Sequence, residues 1–232
     1  MRRRVGCFTA AMLAIAFGLF MGNHAAVAQA GDTAVLFGGG DEVYIAGLPA
    51  GWRKQAEASD ALGHRADWFP PGQTLKNWRD RITLQLIPKV AGSDTEQAPE
   101  RFLDNLAILW TENCEAVMVT ETKSEPVNGY AAGSRLIACT RDKQSGKGNV
   151  SLYRVVAGDR ALYVIQRVYR MAPFSTDGVP LAGADLDLGR AAVDFGTACE
   201  RGTATRPCPA DWRPVLAPID PERKLVVFPA PG

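Results

Sequence analysis

The chain contains 232 residues with 26 basic and 25 acidic side chains, so its formal net charge is only +1. This balance argues against nucleic acid or an anionic membrane surface as a partner, because both attract proteins through an excess of basic residues. Apolar residues make up 47% of the chain, which is typical of a globular protein with a substantial core.

The first thirty residues have the pattern of a secretory signal peptide. Three arginines at positions 2–4 precede an uncharged apolar run, and Ala28 and Ala30 provide the small side chains that a signal peptidase requires. A retained membrane anchor is the alternative, but spanning a bilayer takes about 20 apolar residues, more than this run contains. We therefore predict cleavage before Gly31, a periplasmic or secreted location, and a mature chain that does not span a membrane.

The mature chain is predicted to form a single domain at 31–200, followed by a proline-rich tail at 201–232. Its first ten residues, Gly31–Gly40, are small and rich in glycine, which favours a loose N-terminal arm. Three stretches then predict strands, and the last of them has apolar residues at alternating positions. They lie at 41–46, 52–58 and 81–87.

The middle of the chain predicts a helix followed by an antiparallel meander. Apolar residues recur at three- and four-residue spacing over Pro99–Asn113, which indicates an amphipathic helix. Four strands separated by turn sequences follow: two lie within 115–123 and 130–141, and two form a hairpin at Asn149–Arg170. The second hairpin strand is apolar on both faces, so we expect it to be a central strand covered on both sides. A second helix is predicted over Asp185–Ala198.

Four cysteines remain after cleavage, and an even number in an exported chain favours disulfides. Of the three possible connectivities we favour Cys114–Cys139 and Cys199–Cys208. A zinc site is the alternative, but zinc ligands usually show CxxC or CxxH spacing, and the mature chain has one histidine. We therefore predict no metal and no cofactor.

These elements predict an α+β fold in which an antiparallel meander sheet is packed by two helices. Their order resembles that of the α/β/α sandwich of PsbP- and Mog1-like proteins. Four segments are similar to a group of uncharacterised exported bacterial proteins, a resemblance that implies no established activity. The segments are Trp68–Trp78 (WFPPGQTLKNW), Asn128–Tyr130, Ala161–Arg170 and Cys199–Pro209.

The catalytic inventory of the mature chain is small, and we predict no catalytic residue. His64 is the single candidate for a general base at neutral pH, and its position between two predicted strands favours a surface loop. No serine lies in a GxSxG motif. A pair of carboxylates could serve a glycosidase, and the candidates are Glu57, Asp60, Asp67 and Asp80.

Three aromatic residues around the turn Pro70–Gly72 are the candidate binding residues: Trp68, Phe69 and Trp78. Rings beside a rigid turn can form a binding edge for a peptide or a lipid, or they can close the end of a sheet. A cluster of arginines offers a second possibility, because some of them could bind an anionic partner, although a solvated sheet face would also explain it. The cluster contains Arg154, Arg160, Arg167 and Arg170.

The sequence therefore predicts an exported, non-catalytic binding or accessory protein of the bacterial cell envelope. We expect its partner to be a protein or a small apolar ligand held between the sheet and a helix. The alternative is an envelope hydrolase that uses His64 or a pair of carboxylates.

Overall fold

The computed structural model describes residues 33–60, 63–89, 98–209 and 225–229, so the predicted signal peptide lies outside the described residues. The strands are β1 Thr33–Gly39, β2 Glu42–Leu48, β3 Arg53–Asp60, β4 Gly63–Phe69, β5 Asp80–Pro88, β6 Val117–Val119, β7 Lys123–Ser124, β8 Ala131–Cys139, β9 Gly148–Ala157, β10 Ala161–Met171, β11 Gly196–Glu200 and β12 Leu225–Pro229. The helices are α1 Ala98–Asn113 and α2 Gly183–Asp194. The α+β fold class is confirmed.

The larger of two sheets is antiparallel and has the order β3-β4-β5-β10-β9-β8-β6, with β7 also pairing with β8. Strands β8, β9 and β10 are consecutive neighbours, so the predicted meander is confirmed. Strand β10 lies in the middle, where Tyr163 is opposite Val156 of β9 and Leu86 of β5. It occupies this position because both of its faces are apolar, which suits a strand that is covered on both sides.

The two faces of the large sheet carry different layers. On one face, Leu103 of α1 packs with Ile137, Val155 and Val164, and the ring of Trp110 meets Tyr153 edge-on. On the other face lie α2 and a smaller sheet with the order β11-β2-β1-β12. The main core is between the two sheets, and the large sheet is therefore buried between a helix and a mixed layer.

Strand β1 replaces the loose arm that the glycine-rich N-terminal stretch predicts. Phe37 is fully buried, and its ring lies 5.3 Å from Tyr44 and 5.6 Å from Tyr163 between centroids. Gly38 has a positive φ of 151°, and a Cβ there would lie 2.7 Å from the carbonyl oxygen of Glu42. The glycines therefore allow β1 and β2 to approach closely, rather than making this segment loose.

Helix α2 is shorter than predicted, because the chain leaves it at Asp194 and enters β11. Gly196 pairs with Ala46 of β2, and a Cβ at Gly196 would lie 2.5 Å from the hydroxyl oxygen of Tyr44. Backbone hydrogen bonds to β2 thus take the place of the helical bonds that the apolar spacing predicts up to Ala198. The predicted helix is correct in position and wrong at its C-terminal end.

A buried carboxylate joins the small sheet to the central hairpin. Glu42, at the start of β2, is 3% exposed. Its carboxylate accepts hydrogen bonds from the backbone N–H of Asp159 at 2.5 Å, the N–H of Arg160 at 3.2 Å and the hydroxyl of Tyr163 at 2.9 Å. A buried carboxylate needs such donors, so this residue fixes the hairpin turn against β2.

Two disulfides are present, Cys114–Cys139 and Cys199–Cys208, and they have the pairing that the sequence favours. The first connects the residue after α1 to the end of β8. The second connects β11 to residue 208 of the predicted tail, and strand β12 of the same tail pairs with β1. No helix among the described residues is long and apolar enough to cross a membrane.

Candidate functional site

The three aromatic residues predicted to bind a partner lie in the interior. Trp68 is 1% exposed, Phe69 0% and Trp78 7%. Trp68 belongs to the main core between the sheets, whereas Phe69 and Trp78 pack with Val168 on the other face. The rings close the end of the sheet and do not present an exposed edge, because alternate residues of β4 point into opposite buried layers.

His64 lies in β4 and not in a surface loop. It pairs with Ser59 across the β3–β4 hairpin, is 5% exposed, and its Nε2 lies 3.2 Å from Oε1 of Glu57. Strand β3 continues to Asp60 and β4 begins at Gly63, so His64, which the sequence predicts to lie in a loop, is part of the sheet.

Two of the four candidate carboxylates, Asp67 and Asp80, lie on opposite faces of the large sheet. Asp67 is opposite Thr83 and accepts its hydroxyl hydrogen bond at 2.5 Å. Asp80 forms an ion pair with Arg167 at 2.8 Å; burial raises the pKa of this carboxyl, and Arg167 acts in the opposite direction. These two groups cannot flank one substrate. Among the described residues, no cluster of three or more potential ligands could hold a metal ion.

The predicted arginine cluster is divided between the two faces of the sheet. Arg154 pairs with Asp194 of α2 at 2.5 Å, and Arg167 pairs with Asp80, so both cations are neutralised on the α2 side. Arg170 lies on the other face, because it is an odd number of residues from Arg167 along β10. Arg160, the fourth member of the predicted cluster, lies in the exposed turn before β10, whereas Arg170 borders an open space that other cations also line.

That space is a cavity of about 510 Å³ at the edge where β5 begins and β10 ends. Four of its lining residues are cationic, and none of its described lining residues is acidic. The lining consists of Lys76, Asn77, Trp78, Arg79, Lys147, Arg170, Met171 and Ala172. We call this site the basic cavity. The sequence did not reveal it, because the cations come from three separated segments.

Local hydrogen bonds hold the first of these segments, the loop before β5. The Asn77 side chain accepts from the backbone N–H of Thr74 at 2.7 Å, and the Asn77 N–H donates to the carbonyl of Thr74. The side-chain oxygen of Gln73 accepts from the N–H groups of Arg79 and Asp80. The N–H of Arg170 then donates to the carbonyl of Arg79 at 2.8 Å, which joins the loop to the end of β10.

The second segment is the turn between β8 and β9. The Asp142 carboxylate accepts from both the N–H and the hydroxyl of Ser145 at 2.6 Å, and the N–H of Asp142 donates to the carbonyl of Lys147. Burial tends to raise the pKa of Asp142, but the hydrogen bonds from Ser145 and the Gln144 N–H, together with the charge of Arg170, outweigh it and the pKa is lowered. The turn thereby places Lys147 beside Arg170 in the lining of the basic cavity.

The indole of Trp78 interacts with two guanidinium groups. The Cζ atom of Arg170 lies 3.7 Å from the ring centroid, and that of Arg81 lies 4.5 Å away. Such cation–π contacts fix the plane of a guanidinium and leave its edge free for an anion. The Nε of Arg170 is buried and has no hydrogen-bond partner among the described residues.

The electrostatics around Trp78 are unfavourable for the cations themselves. Burial lowers the pKa of Arg170, although the carboxylate of Asp142 partly opposes this shift. Burial also lowers the pKa of Arg81. The carboxylate of Asp67, 3.8 Å from the Arg81 Nε, opposes this shift, while the charges of Arg65 and Arg170 add to it. A guanidinium stays charged at neutral pH, so Arg170 is a half-buried cation beside three exposed ones, Lys76, Arg79 and Lys147.

A second cavity, of about 370 Å³, lies beside β8 and α2 and provides a contrast. Its lining includes Lys123 and Arg190 together with acidic residues. Lys123 pairs with Glu125 at 2.7 Å, and Arg190 pairs with Asp187 at 3.4 Å. The cations at this site are therefore already neutralised, which is not the case in the basic cavity.

Neither a protein-family model nor a curated protein sequence matches this chain. Solved structures with a similar fold include LpqN of Mycobacterium tuberculosis, a protein involved in cell envelope biogenesis. LpqN is 15% identical to this chain with a TM-score of 0.44, and the match covers 68% of this chain and 84% of LpqN. Another is the Ran-binding protein Mog1p of Saccharomyces cerevisiae, at 13% identity and a TM-score of 0.39. The match covers 58% of this chain and 74% of Mog1p. Identities this low show a likeness in fold alone, and TM-scores below 0.5 assign this chain no family and no activity.

Proposed function

We propose that this chain is an extracytoplasmic binding or accessory protein of the cell envelope, without catalysis of its own, that holds an anionic group in the basic cavity. The observation that carries the proposal is the grouping of Lys76, Arg79, Lys147 and Arg170 around one cavity whose described lining contains no acid. The volume of about 510 Å³ lies within the range typical of small-molecule sites.

The physical argument concerns the cost of grouping like charges. Cations grouped around one site repel one another, and Arg170, the half-buried member of the group, has also lost part of its hydration. The ion pairs of Arg154 and Arg167 show how this chain neutralises buried arginines when they serve the fold. Among the described residues no carboxylate is in hydrogen-bond contact with Arg170, and Asp142 acts on it only at longer range, so an external anion would complete the site.

The proposal changes the expected chemistry of the partner. The sequence predicts a protein partner or a small apolar ligand held between the sheet and a helix; between α1 and the large sheet, that space is filled by Leu103, Ile137 and Val155. The predicted signal peptide and the two disulfides support an extracytoplasmic location, because disulfides persist in oxidising compartments.

The test is an NMR titration of the ¹⁵N-labelled mature protein, which detects weak binding and locates it. The probes are phenyl phosphate and phthalate, two anions with a common benzene ring. We expect shifts that saturate at the Trp78 indole N–H and at the backbone of Arg79 and Arg170. The cavity variant Arg79→Gln/Lys147→Gln should lose this binding at unchanged melting temperature, since both side chains are exposed.

The matched control is Lys123→Gln/Arg190→Gln, which also removes one lysine and one arginine, but from the second cavity. It should bind both probes as the unaltered protein does. The proposal fails if neither probe shifts the basic cavity, or if the control variant loses binding to the same extent, because the effect would then reflect net charge alone.

A further inference from the structure

Building on the proposed function, we infer that the anionic group held by the basic cavity is a phosphoryl group of an organic phosphomonoester. Three observations point to this class of ligand: the number of cations, the directions from which they arrive, and the apolar residues beside them.

The number of cations favours a group with more than one negative charge. Four cationic residues line the cavity, with no acid among the described lining residues. A carboxylate carries a single charge, whereas a phosphomonoester carries about 1.5 to 2 negative charges at neutral pH on one compact centre. The phosphoryl group therefore neutralises more of the positive charge at one point.

The cations also reach the cavity from three different segments. Lys76 and Arg79 come from the loop before β5, Lys147 from the turn before β9, and Arg170 from the end of β10. A carboxylate has two oxygen atoms in one plane, so it suits donors that arrive from one side. The three terminal oxygens of a phosphoryl group point in different directions and can accept from separate segments at once.

The plane of the Arg170 guanidinium is held by its contact with Trp78 at 3.7 Å. A guanidinium fixed in this way can present two parallel N–H donors to two phosphoryl oxygens, while the flexible lysine ammonium groups act as point charges. Arg170 therefore sets the orientation of the phosphoryl group, and Lys76 and Lys147 add to its affinity.

The remaining lining indicates that the ligand is larger than inorganic phosphate. Met171 and Ala172 line the cavity next to the cations, with part of the Met171 side chain packed against the main core, and a cavity of about 510 Å³ exceeds the volume of one phosphoryl group. An organic substituent would occupy this part of the cavity. The same chemistry is offered by a soluble phosphate ester and by the headgroup of a phosphatidic acid, and these two sources are separated experimentally.

The experiment compares phenyl phosphate with phthalate by isothermal titration calorimetry at low salt. The two probes have the same ring and about the same charge near neutral pH, so they differ mainly in the geometry of their oxygens. We expect phenyl phosphate to bind about tenfold more tightly than phthalate, equivalent to ~1.4 kcal/mol. Inorganic phosphate should bind more weakly than phenyl phosphate, because it cannot contact Met171.

Two variants test the assigned roles. Arg170→Lys keeps the charge but removes the planar fork, and it should reduce the preference for phenyl phosphate over phthalate while phthalate binding is retained. Met171→Ser should weaken phenyl phosphate binding and leave inorganic phosphate binding unchanged. Circular dichroism and melting temperature establish that each variant is folded before its titration is interpreted.

The outcomes separate this inference from the proposed function. If phthalate binds as tightly as phenyl phosphate, the phosphoryl assignment is overturned while an anion site remains. If neither anion binds, the proposed function itself fails. Flotation with vesicles of phosphatidylcholine that contain phosphatidic acid is compared with flotation with phosphatidylcholine alone, a zwitterionic lipid without a phosphomonoester. Flotation only with the phosphatidic acid vesicles supports a lipid phosphate, and its absence together with phenyl phosphate binding supports a soluble ester.

Discussion

Replacement of Glu42 by alanine should be among the most destabilising single changes in this protein. The carboxylate is buried at the start of β2 and accepts three hydrogen bonds from the β9–β10 hairpin, at 2.5, 3.2 and 2.9 Å. The substitution removes the acceptor and leaves all three donors without it. The loss in the free energy of unfolding depends on which of these donors can form a hydrogen bond with water in the variant.

The three donors differ in their access to solvent. Asp159 and Arg160 lie in an exposed turn, so water can replace part of what their N–H groups lose. Tyr163 is 1% exposed, and its buried hydroxyl would keep only its longer contact, at 3.4 Å, with the backbone carbonyl oxygen of residue 42. Hydrogen bonds to charged groups contribute about 1.5–3 kcal/mol each, and an unsatisfied buried donor costs about 1–3 kcal/mol. We therefore expect Glu42→Ala to lower the free energy of unfolding by about 3–5 kcal/mol.

Equilibrium unfolding in guanidinium chloride measures this loss. Glu42→Gln retains one side-chain acceptor and should lose less than the alanine variant, about 1–3 kcal/mol. Glu121→Ala is the control, since this exposed glutamate should change stability by no more than about 0.5 kcal/mol. If Glu42→Ala unfolds within about 0.5 kcal/mol of the unaltered protein, the carboxylate does not join the two sheets in the way described here.

Three further predictions concern the core, the acid response and processing of the chain. Trp68→Ala should lower the free energy of unfolding by about 3–5 kcal/mol, because this ring lies in the main core. Anion binding to the basic cavity, on the opposite face of the large sheet, should be preserved. A variant of normal stability that no longer binds anions would contradict the core position of Trp68. The pKa of Asp142 is lowered in the folded state, so its contribution is present above the unfolded value of about 3.9 and is lost as the pH falls through the folded value. Urea unfolding midpoints at a series of pH values should therefore decline less steeply towards acid in Asp142→Asn, and parallel curves would exclude this role. N-terminal sequencing of material exported by a bacterial host should begin at Gly31, and recovery of the uncut chain in the membrane fraction would refute the predicted cleavage.

The local patterns of the sequence were enough to predict most of the large sheet. The central position of β10 follows from its own composition, because a strand that is apolar on both faces must be covered on both sides. Helix α1 follows from its apolar spacing, and the favoured disulfide pairing is the one that the structure contains. These features depend on neighbouring residues, or on a small number of possible pairings, and can therefore be derived without the fold.

The small sheet and the basic cavity were decided by tertiary structure. Strand β1 pairs with β12, which lies almost at the other end of the chain, and helix α2 ends where β11 finds β2 as a partner. Backbone hydrogen bonds between distant segments override the local glycine content and apolar spacing that predicted an arm and a longer helix. His64 and the aromatic rings likewise became buried because of the layers that cover their strands. The cations of the basic cavity come from three separate segments and carry no common sequence pattern, since an electrostatic site of this kind exists only once folding has brought its charges together.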